Sequence, residues 1–76
     1  MTNNLEDIFK QAGKLQRSNN LKEAINLYEK IIDFKPNHAP TLLNLGNLFQ
    51  QNGNFNKAKY YYEKLLLLDN QNSQLI

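Results

Sequence analysis

The amino-acid sequence predicts an all-α fold, with four helices paired into two antiparallel hairpins that stack on one another. Three observations predict it. The tripeptide Tyr28-Glu29-Lys30 returns as Tyr62-Glu63-Lys64, an offset of 34 residues (62 − 28), and Gln16, Asn20 and Ala24 recur as Gln50, Asn54 and Ala58 at the same offset. Where identity is lost character persists, as in Ile8 with Leu42, Ala12 with Gly46, Leu15 with Phe49, and Ile31 with Leu65. A period of this size belongs to stacked supersecondary units, none able to bury its apolar face alone. Second, Leu21, Ala24, Tyr28 and Ile31, and again Phe55, Ala58, Tyr62 and Leu65, step by three, four and three, which draws one stripe on a helix. Third, clusters of Asn, Gly and Pro fall between these stripes and supply caps and stops.

Each helix can be justified in order. Asn4 caps a first helix running to about Arg17, with Glu6 and Asp7 in its first turn and Lys14 and Arg17 in its last, where they complement the helix dipole. Ser18-Asn19-Asn20 breaks the pattern. Asn20-Leu21-Lys22-Glu23 resembles a capping box and starts a second helix, which ends near Phe34 because Pro36 pushes Lys35 out of the helical region. Asn37 caps a third helix with Pro40 in its first turn, where a missing N–H costs nothing. Asn52-Gly53-Asn54 ends it, Gly53 suiting the left-handed C-terminal position and Asn54 the next N-cap. The fourth helix spans about Phe55 to Leu68. Small residues at Ala12, Ala24, Gly46 and Ala58 let helix backbones approach closely.

The second unit, with Leu42, Leu45-Gly46, Phe49, Gly53, Phe55, Ala58, Tyr62 and Leu65 at their spacings, resembles a tetratricopeptide repeat. The first unit resembles the same family through Ala12, Leu15, Leu21, Ala24, Tyr28, Ile31 and Pro36. The resemblance divides a single domain, residues 1–76, into repeats at 5–38 and 39–72, with 73–76 as the start of a third unit, and implies a short right-handed α-solenoid. Three positions depart from the family pattern: Gln11 replaces an aliphatic residue, Asn19 a frequent glycine, and Asn70 a closing proline.

Composition narrows the function. Nine Lys and Arg against seven Asp and Glu leave a formal charge of +2, too small an excess to argue for nucleic acid, although Lys10, Lys14 and Arg17 share a helical face. The aliphatic run Leu65 to Leu68 is far too short for a bilayer, and acid near the N-terminus argues against a targeting sequence, so neither membrane nor export is expected. Absence of cysteine rules out disulfides and thiolate metal sites and fits a cytoplasmic compartment.

Material for catalysis is sparse. The one histidine, His38, and the serines Ser18 and Ser73 fall in turns, with no arrangement of nucleophile, base and orienting group. Asp69 to Ser73 superficially resembles a calcium loop but lacks its glycine and distal glutamate. Gly13, Gly46 and Gly53 are too scattered for a phosphate cradle. Neither enzymatic activity nor a cofactor or metal is expected.

In the family that the sequence resembles, the first helix of each unit lines a concave groove that holds a peptide or helix of a protein partner. By position this implies Phe9, Lys10, Gly13, Gln16 and Arg17 from the first unit, and Leu43, Asn44, Asn47, Gln50 and Gln51 from the second. Phe9 and Leu43 are equivalent, and either make the groove partly apolar or tuck against a neighbouring helix. Asn44 is either a holder of peptide backbone or an exposed helix residue. The lysine and asparagine with which relatives clamp a C-terminal carboxylate are here Phe9 and Gly13, so that ligand is not expected. Continuing the register, Ile76 would be the first apolar position of a third unit, and without a helix over the second hairpin parts of Tyr61, Tyr62, Leu65, Leu66 and Leu68 would lack a neighbour. Such a face is an expected site of self-association into a homo-oligomer, or of contact with a partner or with further chain, including the case of a non-catalytic segment of a larger enzyme.

Overall fold

A computed structural model describes residues 4–74, with side-chain surroundings for 4–69. It contains α1 (Leu5–Arg17), α2 (Leu21–Phe34), α3 (Ala39–Gln51) and α4 (Phe55–Gln74), and no strand among the described residues. α1 packs on α2, α2 on α3, and α3 on α4, giving two hairpins side by side.

Local chemistry explains the turns. The Asn4 Oδ1 accepts the Asp7 N–H at 2.8 Å and so caps α1. At the end of α1, Asn19 takes φ 66°, and at the end of α3 Gly53 takes φ 83°. Both ends close with the same pair of bonds. Asn19 N–H reaches Gln16 O at 3.1 Å and Asn20 N–H reaches Leu15 O at 2.8 Å, repeated as Gly53 to Gln50 at 3.1 Å and Asn54 to Phe49 at 2.8 Å. Asparagine visits the left-handed region at modest cost, so Asn19 makes the same turn as the glycine it replaces.

Three expected details are corrected. Asn20 makes no side-chain cap, and its Nδ2 donates to Ser18 Oγ at 3.4 Å. Asn54, its equivalent, does cap, accepting the Lys57 N–H at 3.3 Å. α3 is preceded by His38 as N-cap, not Asn37: a turn after Pro36 draws the His38 N–H onto Lys35 O at 3.1 Å, and His38 Nδ1 lies 2.7 Å from Thr41 Oγ1. α4 does not end near Leu68 but runs to Gln74, since Asn70 in place of proline leaves nothing to break the helix. Ile76 lies outside the described residues.

The core is written in the shared register. Ala12 and Ala24 are fully buried and Ala58 nearly so, each allowing close helix approach, while Tyr28, Ile31, Leu42, Leu45 and Leu48 fill the space around them. Gly46 is a required gap, because a Cβ there would stand 2.5 Å from the Tyr62 ring. Thr41, Leu45 and Leu48 are wholly buried, whereas the α1 residues at the same register, Asp7, Gln11 and Lys14, are exposed. α3 has α2 behind it and α1 packs mainly on α2 alone, so Gln11 meets water where Leu45 meets a helix.

Candidate functional site

Where α1 and α3 flank the exposed edge of α2, an open groove of about 490 Å³ is lined by Phe9, Gly13, Gln16, Arg17, Tyr28, Asn44 and Gln51. Its floor is Tyr28, an α2 residue only 1% exposed. The Tyr28 hydroxyl donates to Gln16 Oε1 at 2.9 Å and accepts from Asn44 Nδ2 at 3.2 Å, tying three helices together at one oxygen. Burial raises the Tyr28 pKa above its ordinary value, opposed by the smaller effects of the Asn44 hydrogen bond and the Arg17 charge. The phenol therefore stays protonated at neutral pH and keeps its donor.

The second repeat carries the same device. The Tyr62 hydroxyl lies between Gln50 Oε1, at 3.0 Å, and Asn47 Oδ1. Gly13 occupies the position of Asn47, so the first repeat takes its amide partner from the following helix instead. A Cβ at Gly13 would lie 3.5 Å from Arg17 Nη1, an ordinary contact, so this glycine widens the groove without being sterically obligatory.

The expected groove residues divide. Phe9, Gly13, Gln16, Arg17, Asn44 and Gln51 come together around the one depression. Lys10 and Leu43 are exposed outside it, and Asn47 and Gln50 gather instead around Tyr62. Phe9 tucks inward, edge-on to Tyr28 at 5.6 Å and to His38 at 5.7 Å between ring centroids, whereas Leu43 is 44% exposed. Equivalent residues thus take different roles. Asn44 is half-buried and bonded, not a loose surface amide. Tyr28 was not among the expected groove residues, although the repeated pairs Gln16 with Tyr28 and Gln50 with Tyr62 are a sequence signal for it.

Of the residues expected on the outer face of α4, Tyr61 is a correction. It is buried, its ring parallel to that of Phe49 at 5.8 Å, because it continues the inward stripe of Ala58 and Leu65. Its burial raises its pKa, and the negative charges of Glu29 and Asp33 and the neighbouring Tyr60 add in the same direction. Tyr62, Leu65 and Leu68 are half-buried and Leu66 is exposed. Two shallow depressions meet at Tyr62 and Leu66 and make one mostly apolar face along α4, to which Phe55 also contributes.

His38 is engaged with Thr41 and Phe9, and the described residues contain no cluster of His, Cys, Asp or Glu suited to a metal ion. No described helix is long and apolar enough to cross a membrane. A family model described as tetratricopeptide repeat matches residues 15–75. No curated protein matches the sequence.

Proposed function

The chain belongs to the tetratricopeptide repeat family, whose members generally mediate protein–protein interaction, and on that premise we propose that it holds an extended, acidic peptide segment of a partner protein in the groove over Tyr28. The observation that carries this reading is the convergence of six separately placed residues of α1 and α3 on one depression with a hydrogen-bonded floor. Asn44 spends one donor on Tyr28 and retains a second N–H and its carbonyl oxygen, enough to pair with a peptide unit. Gln16 and Gln51 add amides beside it. Arg17 brings a guanidinium to the rim with no ion-pair partner among the described residues, a setting that favours a carboxylate. Phe9 supplies one apolar wall and Leu43 an exposed contact outside it.

A fluorescence-polarisation titration with a library of short labelled peptides tests the reading. Saturable binding of acidic sequences is expected, weakened about tenfold when glutamate in the peptide becomes glutamine or when Arg17→Gln is introduced, because one charge-assisted hydrogen bond contributes about 1.5–3 kcal/mol. Absence of saturable binding across the library, or indifference to Arg17→Gln, overturns it.

A further inference from the structure

Phe55, Lys59, Tyr62, Leu66 and Asp69 step by four, three, four and three along α4 and so share one side of the helix. Phe55 and Leu66 are 66% and 58% exposed, Tyr62 is half-buried, and Lys59 and Asp69 are open to solvent. In the first repeat the same register reads Leu21, Ile25, Tyr28, Ile32 and Lys35. There α3 packs on α2, and Ile25 and Tyr28 in the middle of the stripe are buried, Ile25 being only 9% exposed.

Two differences between the repeats decide what fits over α4. The helix face that seats against α2 is Thr41, Leu45 and Leu48, but α1 carries Asp7, Gln11 and Lys14 at those positions. Head-to-tail stacking of a second copy would therefore bury two charges against an apolar stripe, which is unfavourable. Moreover, the buried Ile25 is replaced by Lys59, and Lys35 by Asp69. The α4 stripe thus has an apolar middle with a cation on its N-terminal side and an anion on its C-terminal side. That order complements itself when a second identical helix crosses antiparallel about a two-fold axis. With the axis opposite Lys64, Lys59 meets Asp69 of the second copy and Tyr62 meets Leu66 of the second copy, each contact occurring twice. Among the described residues the ion-pair partner of Lys59 is Glu63, an exposed contact at 4.0 Å that is weak enough to be exchanged.

We propose that the protein forms a two-fold symmetric homodimer through α4, with Tyr62 and Leu66 at its centre and reciprocal Lys59–Asp69 ion pairs at its flanks. The surface is separate from the groove over Tyr28, so peptide binding and dimerisation can be lost independently.

Sedimentation equilibrium with charge-swapped variants tests the proposal. The wild type should dimerise at micromolar concentration, and Lys59→Asp and Asp69→Lys should each weaken dimerisation about tenfold or more by setting like charges together. Both positions are exposed, and an unchanged helical circular dichroism spectrum confirms that each variant folds. An equimolar mixture of the two variants should recover the lost affinity, because in the mixed dimer both flanking pairs are again of opposite sign. A wild type that stays monomeric up to roughly 100 μM, a range in which even weak specific pairs associate, overturns the proposal. So do charge reversals without effect, or a mixture that binds no more tightly than its components.

Discussion

Leu48 and Lys14 occupy the same position in successive repeats, yet Leu48 is wholly buried and Lys14 is exposed. The difference follows from neighbours, since α3 is seated on α2 while the matching side of α1 is open to water. Leu48→Ala should therefore destabilise the fold by about 2–5 kcal/mol, and Lys14→Ala by less than about 0.5 kcal/mol. Urea unfolding of the two variants measures both. Equal effects would mean that the two helices are not differently covered.

Gly46 tests how closely α3 and α4 approach. Alanine at an ordinary helix position stabilises by about 1 kcal/mol relative to glycine. At position 46 the added methyl meets the Tyr62 ring at 2.5 Å, closer than real contacts allow, and overpacking of this kind costs about 1–3 kcal/mol. Gly46→Ala should thus lower the thermal midpoint, whereas a rise would show a wider helix gap.

The turns between α1 and α2 and between α3 and α4 share their hydrogen bonds but differ in the residue at positive φ. Gly53→Ala should cost about 1–2 kcal/mol, the left-handed penalty for an L side chain, since no atom lies near enough to compensate. Asn19→Gly, the reverse change, should be nearly neutral, within about 0.5 kcal/mol, because asparagine already tolerates this region. Chemical denaturation of both variants checks the pair.

Much of this was legible in the sequence, for an identifiable reason. A 34-residue repeat states each helix twice, so the stripes through Ala24 and Ala58 and the turn at Gly53 reinforce one another. The start of α1 and the ends of α2 and α3 follow from local signals at Asn4, Pro36 and Gly53, whereas the cap of α3 falls at His38 and not at the expected Asn37. The end of α4 does not, because Asn70 stands where a closing proline would stop the helix, and α4 runs past the expected end near Leu68 to Gln74. Side-chain direction was less legible than register. Phe9 turns inward and Leu43 outward because Tyr28 and His38 offer Phe9 two ring faces, and Tyr61 turns inward because Phe49 offers it one. Such choices depend on residues far apart in sequence. For the groove, six of the ten expected positions gather around one depression, whereas Lys10, Leu43, Asn47 and Gln50 lie outside it, and the hydrogen-bonded floor at Tyr28 depends on the packing of three helices.

Tyr28 and Tyr61 give the fold an alkaline limit. Both phenols have pKa values raised above 10.0 by burial, so the folded state holds these protons more tightly than the unfolded state does. Their contribution is fully present below the unfolded value and is lost as pH rises through the folded ones. Stability should fall as pH climbs past 10, and Tyr28→Phe together with Tyr61→Phe should make that fall shallower. The same double variant should be less stable at pH 7, where Tyr28→Phe removes two hydrogen bonds each contributing about 1 kcal/mol. Urea midpoints across alkaline pH report both effects.

The most direct test of the groove is a nuclear magnetic resonance titration of the labelled protein with an acidic peptide that it binds. The side-chain amides of Gln16, Asn44 and Gln51 and the backbone amide of Gly13 should shift together and saturate at one affinity, with Phe55 and Leu66 on α4 unmoved. Shifts confined to α4, with those four signals unchanged, would place the partner elsewhere and contradict a groove built over Tyr28.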